Sequence, residues 1–151
     1  MKAVNPYLNF NGKTEAAFKF YQTVFGGDLQ IMRFQDFGEN SMGVPDQDLD
    51  KIAHVALPLR DGSMLMGTDT LESLGQELTV GNNFSITLEA ESDKEADQIF
   101  HALSDGGKVE MPLARTEWAE KYGMCADRFG VRWMVNYTGD VRFGSDQGGA
   151  S

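Results

Sequence analysis

Two stretches of the chain carry apolar residues at steps of three and four, and shorter alternating stretches surround them. Ala16, Ala17, Phe20, Tyr21 and Val24 form one stripe; Ala96, Ile99, Phe100 and Leu103 form the other. That spacing predicts two amphipathic helices. Gly26-Gly27 closes the first helix and Gly106-Gly107 the second, in the manner of C-caps. Ser92-Asp93-Lys94-Glu95 has the form of a capping box, with Ser92 capping and Glu95 reaching back. Alternation and turn residues predict strands at 6–10, from Leu29 through Ile31 to Phe34, at 52–59, 64–68 and 84–90, from Val109 through Met111, and at 124–128 and 131–137. Segment 36–50 reads as a long polar loop, 70–83 as a connector, and 116–123 as an irregular aromatic stretch around Trp118 and Tyr122. Residues 140–151, rich in Gly and Ser, read as a flexible tail.

The elements repeat. A shift of 80 positions brings Leu8 onto Leu88, Glu15 onto Glu95, Ala16 onto Ala96, Phe20 onto Phe100 and Gly26-Gly27 onto Gly106-Gly107. The closing hairpins match at a shift of 68, Arg60-Asp61-Gly62 with Met66 against Arg128-Phe129-Gly130 with Met134. The second copy is therefore 80 − 68 = 12 residues shorter in its middle loop. Element order and residues recur together, which predicts two βαβββ modules, at about 4–69 and 84–138, within one α+β domain over 1–139. One helix and four strands bury little alone, so the two copies are expected to form curved mixed sheets enclosing a cleft. Alternation along strands puts Leu8, Phe10, Ile86, Leu88 and Ala90 on the helix side. Asn5, Tyr7, Asn9, Ser85, Thr87 and Glu89 then face the cleft, where polar groups suit a ligand.

Composition narrows the function classes. Thirteen Lys and Arg stand against twenty-three Asp and Glu, a net charge of −10. That sign repels nucleic-acid phosphates and anionic membrane surfaces. No stretch approaches a membrane span, the first residues lack the apolar core of a signal peptide, and one cysteine, Cys125, excludes an intrachain disulfide. The expected location is the cytoplasm.

Four segments carry a family resemblance: Pro6-Tyr7-Leu8-Asn9-Phe10-Asn11-Gly12, Phe20-Tyr21-Gln22-Thr23-Val24-Phe25-Gly26-Gly27, Ile52-Ala53-His54-Val55-Ala56-Leu57 and Asp127-Arg128-Phe129-Gly130-Val131-Arg132-Trp133-Met134. In order and spacing, over roughly residues 4–138, the chain resembles the PhnB-like branch of the glyoxalase/bleomycin-resistance/dioxygenase superfamily, the vicinal oxygen chelate proteins. The resemblance implies paired βαβββ modules, a homodimer, and a range of isomerases, dioxygenases, thiol transferases and drug-sequestering binders. Sequences of this branch often carry a demethylubiquinone methyltransferase label. This sequence shows no glycine-rich loop and acidic strand end of the kind that holds S-adenosylmethionine. Metal-using members of the superfamily place four ligands on the first and last strands of the modules. Carried over, those positions fall on Asn5, Met66, Ser85 and Met134, where no residue offers the imidazole or carboxylate that a hard divalent cation needs. No metal and no other cofactor is expected.

The first expectation is thus a small-molecule binder with an aromatic and methionine-lined cleft (Tyr7, Met66, Trp118, Tyr122, Met134) and polar anchors Asn9, His54 and Thr87. Trp118 and Tyr122 are candidates for a lid. His54 shares a strand face with Ile52 and Ala56 by parity. It is the catalytic candidate of the alternative, a lyase, isomerase or dioxygenase with His54 as general base or with a non-standard metal site. A third possibility leaves the cleft filled by its own side chains, with dimerisation alone remaining. His101 reads as a surface residue, Asp69 as a solvated turn residue, and Cys125 as a buried, inert thiol.

Overall fold

The computed structural model describes residues 1–38 and 43–142; part of the expected loop at 36–50 and most of the expected tail lie outside them. The chain divides into two compact units, residues 1–79 and 80–151. In the first, β1 (Tyr7–Phe10) is followed by α1 (Thr14–Phe25), β2 (Gln30–Arg33), β3 (Ile52–Pro58) and β4 (Met64–Asp69). In the second, β5 (Ile86–Glu89) is followed by α2 (Asp93–Ser104), β6 (Lys108–Ala114), β7 (Lys121–Ala126) and β8 (Arg132–Tyr137). Each unit is βαβββ, and the strand orders match: β1-β4-β3-β2 and β5-β8-β7-β6. The first and last strands of each unit pair in parallel, and the other pairings are antiparallel. The sheets are mixed, and neither closes on itself.

Each helix forms because its apolar stripe has one sheet face to cover. On α1, Ala17, Phe18 and Tyr21 are fully buried; on α2, Ala96, Phe100 and Leu103 are buried. Phe18 lies over Gly67 of β4 and Phe100 over Gly123 of β7, so tightly that an added Cβ would stand 2.7 and 2.8 Å from the two rings. On β1 Leu8 and Phe10 are buried, Phe10 packing edge to face on Phe18 of α1, while Trp133, Val135 and Cys125 lie on the corresponding buried face of the second sheet. Gly26 ends α1 at φ +74°, donating its N–H to the Gln22 carbonyl, a conformation that favours glycine. The α2 helix stops one residue before the predicted Gly-Gly pair, with Asp105 as its cap. Ser92 caps α2 by accepting the Glu95 N–H at 3.0 Å. The Glu95 carboxylate reaches past Ser92 to the Glu91 N–H, so the capping box is shifted by one residue.

Three other expectations are corrected. The described part of 36–50 includes short 3-10 turns, Phe34–Asp36 beginning before it and Asp46–Asp48 inside it. Buried Asp48 accepts hydrogen bonds from Ser73 Oγ and Lys51 Nζ and so pins this segment to the connector after β4. The aromatic stretch 116–123 is irregular only to residue 120. Tyr122 sits in β7, where Gly123 and Cys125 alternate inward and a long strand can pair with both β6 and β8. Asp69 is no solvated turn residue. It is 4% exposed and accepts hydrogen bonds from the Thr14 N–H, the Thr14 hydroxyl and the Ile52 N–H. The preceding Lys13 supplies no side-chain cap, so this carboxylate satisfies the first turn of α1 from another strand.

One ion pair ties α1 to β2. Arg33 donates to both oxygens of Glu15 at 2.7 and 3.1 Å, and this pairing holds the Glu15 carboxyl down at about 2. The folded value is depressed, so the contribution is complete above the ordinary carboxyl range and is lost as pH falls from 4.5 toward 2. Both side chains are near one-third exposed, and with solvent screening the pair is worth about 1 kcal/mol.

Candidate functional site

Alternation and pairing together fix the side of the first sheet that α1 leaves uncovered. Tyr7 opposes Met66, and Met66 opposes Ala56. One row on, Asn9 opposes Thr68, the register carries Thr68 to His54, and His54 opposes Met32. Tyr7, Asn9, His54 and Met66, four of the predicted site residues, therefore share one face. The register shifts by one residue between Met32 and Arg33, which inserts a β-bulge at Ala53. The bulge overturns the predicted parity. Ile52, 1% exposed, turns to the α1 side while His54 stays on the open side with Ala56. Arg33, opposite Ile52, reaches Glu15 on α1.

On this face Tyr7 Oη and His54 Nδ1 are 2.9 Å apart, with ring centroids 5.6 Å apart and planes tilted by 32°. Partial burial raises the Tyr7 phenol above its ordinary range, so it holds its proton at neutral pH. When the phenol donates to Nδ1, Nε2 carries the ring proton and is a hydrogen-bond donor; when Nδ1–H donates, Nε2 is a base. In either tautomer Tyr7 fixes the orientation of the imidazole.

A cavity of about 410 Å³ opens on the same side, within the size range of small-molecule pockets. Asn9, Ala53 and Thr68 form its floor, and Phe34, Phe37 and Gln76 are among its walls. Asp69 also borders it, but the three hydrogen bonds noted above occupy its carboxylate. The strand row of Asn9 and Thr68 continues to His54, which with Tyr7 lies on the same face outside the cavity lining. The Asp48–Ser73 bond joins the segments that carry the two walls. Thr68 Oγ1 donates to the Ala53 carbonyl at 2.9 Å and stabilises the bulge. Thr68 and Ala53 were missed in the sequence, although the parity that selected Asn9 points to Thr68 as well. Phe34, Phe37 and Gln76 come from segments without periodicity, and nothing in the sequence singles them out.

The second unit has an equivalent open side. Thr87 opposes Met134, Met134 opposes Met124, and Met124 opposes Met111. In the next row Glu89 opposes Asn136, and Asn136 opposes Tyr122. Trp118 lies against Tyr122 with centroids 5.1 Å apart, edge to face. Thr87, Trp118, Tyr122 and Met134 thus gather in this unit. The repeat shifts of 80 and 68 place Asn9, Thr68 and His54 on Glu89, Asn136 and Tyr122.

Of the positions carried over for a metal, Met66 lies opposite Tyr7 and Met134 opposite Thr87, and the Asn5 side chain accepts the Met64 N–H. With the register neighbours Tyr7 and Thr87 included, these residues do not suit a hard divalent cation. Glu89, one row further, is a single carboxylate, and no group of three His, Cys, Asp or Glu suited to a metal occurs among the described residues. Cys125 is buried; that burial, with the charges of Asp127 and Glu110, pushes its thiol up to about 11 and makes it a poor nucleophile. His101 is on the surface, its Nδ1 2.8 Å from the Asp97 carbonyl. Arg128 is bound to Asp105. No helix among the described residues is long and apolar enough to cross a membrane.

Residues 2–136 match the model of the family described as 3-demethylubiquinone-9 3-methyltransferase. Protein YjdN of Escherichia coli strain K12 is 33% identical over 144 residues, 88% of this chain and 93% of that one. Among solved structures, protein PA1353 from Pseudomonas aeruginosa is 38% identical with a TM-score of 0.82, covering 93% of this chain and 100% of its own. A putative 3-demethylubiquinone-9 3-methyltransferase, PhnB protein, from Bacillus cereus is 27% identical with a TM-score of 0.70, covering 90% of this chain and 99% of its own. At 19% identity and a TM-score of 0.58, a glyoxalase/bleomycin resistance protein/dioxygenase family enzyme from Burkholderia phytofirmans shares the fold, covering 89% of this chain and 99% of its own.

Proposed function

Because the chain belongs to the family described as 3-demethylubiquinone-9 3-methyltransferase, the PhnB-like branch of the glyoxalase/bleomycin-resistance fold, we propose that it binds a neutral, carbonyl- or hydroxyl-bearing aromatic molecule on the open face of its first unit. The observation that carries this is the Tyr7–His54 pair, 2.9 Å apart, on the sheet face that also floors the cavity. Met66, Met32 and Phe34 give the ligand adaptable apolar contacts. His54, Tyr7 and Asn9 supply hydrogen-bond donors and acceptors, with no carboxylate, lysine or arginine among them, which suits an uncharged ligand. The protein in this reading is a homodimer without a resident metal.

Methyl transfer, the activity in the family's description, finds little support in the local chemistry. Asn11-Gly12-Lys13 precedes α1 and Glu91-Ser92 precedes α2. Neither is the glycine-rich strand-to-helix turn that brings backbone close to a nucleotide-like cofactor, and both sheets are mixed rather than doubly wound.

A second reading draws on the same pair. With Nδ1–H donating to Tyr7, Nε2 is placed to take a proton from a bound substrate, as a lyase or isomerase requires.

Duroquinone, neutral and fully substituted, is a suitable probe. In calorimetric titrations its affinity should fall about 10-fold in His54→Ala, the worth of one hydrogen bond of about 1.4 kcal/mol, and by less in Tyr7→Phe. Unchanged affinity in both variants would remove the pair from the site.

A further inference from the structure

We infer that the open face of the second unit is a site for an organic cation: an aromatic amine whose ammonium group meets Glu89 and Asn136 while its ring packs on Trp118 and Tyr122. This rests on residues of the second unit alone and holds whether or not the first unit binds a neutral ligand.

Charge, an unsatisfied acceptor and an aromatic pair converge on this face. The first is charge. Glu89 is exposed, and no Lys or Arg among the described residues pairs with it. Its carboxylate accepts hydrogen bonds from Asn136 Nδ2 at 2.6 Å and from the Thr138 N–H at 2.8 Å, which fixes its position and leaves its charge uncompensated. Arg132, four residues back along β8, is bound to Glu110 at 2.8 Å. The chain's net charge of −10 adds a long-range attraction for cations.

The second observation is an unsatisfied acceptor. Because Asn136 turns its amide nitrogen to Glu89 and Thr138, its Oδ1 is left buried and without a hydrogen-bond partner. An orphaned buried carbonyl costs about 1–3 kcal/mol. A ligand N–H that reached it would satisfy it.

The third is aromatic. Tyr122 lies beside Asn136 in register, and Trp118 packs edge to face on Tyr122 while remaining 42% exposed. An exposed indole packed on Tyr122, in the strand row that runs through Asn136 to Glu89, suits both ring stacking and cation–π attraction. Met134 and Met124 continue the face as a soft apolar floor. The corresponding residues of the first unit are Asn9, Thr68 and His54, which carry no carboxylate, so the two faces of this duplicated chain differ in the charge of the ligand they favour.

Tryptamine and its neutral isostere tryptophol test this by calorimetry on the full chain at low salt. Tryptamine should bind at least 10-fold more tightly, and the preference should shrink as salt is raised. Glu89→Gln, at an exposed position, should reduce the preference to under 3-fold. Trp118→Ala should weaken both ligands alike. Equal binding of the two ligands, binding of neither, or an undiminished preference in Glu89→Gln would overturn the inference.

Discussion

Asp69→Ala should destabilise the first unit by about 4 kcal/mol, read as a lower urea midpoint for the unit's unfolding at constant slope. The residue lies where three donors converge: the Thr14 N–H and hydroxyl at 3.1 and 2.7 Å and the Ile52 N–H at 2.9 Å. All three come from buried residues, since Thr14 is fully buried and Ile52 is 1% exposed. Alanine leaves them facing no acceptor, and each orphaned donor costs about 1–3 kcal/mol. The effect is larger than loss of an ordinary helix cap, about 1 kcal/mol, because this carboxylate also ties β3 to α1. Asp69→Asn, which keeps one acceptor oxygen, should lose about half as much. A change below 1 kcal/mol for the alanine variant would show that the network contributes little.

Gly107→Ala should cost about 3 kcal/mol or more, again by urea unfolding. Gly107 lies between α2 and β6, and a Cβ there would collide with the Ala126 carbonyl oxygen and stand 2.9 Å from Asp127 Cα. Both are backbone atoms of the strand end opposite, so no side chain can rotate away, and the strain has to move the edge strand. Gly62→Ala offers the contrast. Nothing lies within 4 Å of a Cβ there, and only its φ of +90° disfavours alanine, at about 1 kcal/mol. If the two substitutions cost the same, the close approach at Gly107 is not what fixes that junction.

The duplication was legible in the sequence because helix stripes, Gly-Gly stops and hairpin residues all recur in order, and tertiary packing obeys the same periodicities. The strand face of Tyr7 and Asn9 was legible for the same reason: alternation along a strand is fixed by the backbone. What the sequence withheld were places where one residue more or less changes the face. The bulge at Ala53 separates Ile52 from His54, and no local residue type announces it. Partner strands were also hidden: only the register shows that Met66 lies opposite Tyr7 and Met134 opposite Thr87. Asp69 read as solvated because its three donors lie 17 and 55 residues away along the chain. Asn136 became a candidate only through its pairing with Glu89 and the unsatisfied oxygen that results.

Family membership alone does not choose among the activities associated with this fold. Binding of a neutral ligand depends on one face, and its methionines can report on it. In protein labelled with 13C at the methionine methyl groups, Met32 and Met66 flank the Tyr7–His54 pair, while Met1 lies outside the strands. Addition of duroquinone should move the Met32 and Met66 methyl signals along a saturable curve and leave Met1 in place. S-adenosylmethionine at the same concentration should move neither. If duroquinone leaves Met32 and Met66 unshifted, or S-adenosylmethionine shifts them saturably, the first unit's open face is not the neutral-ligand site described here.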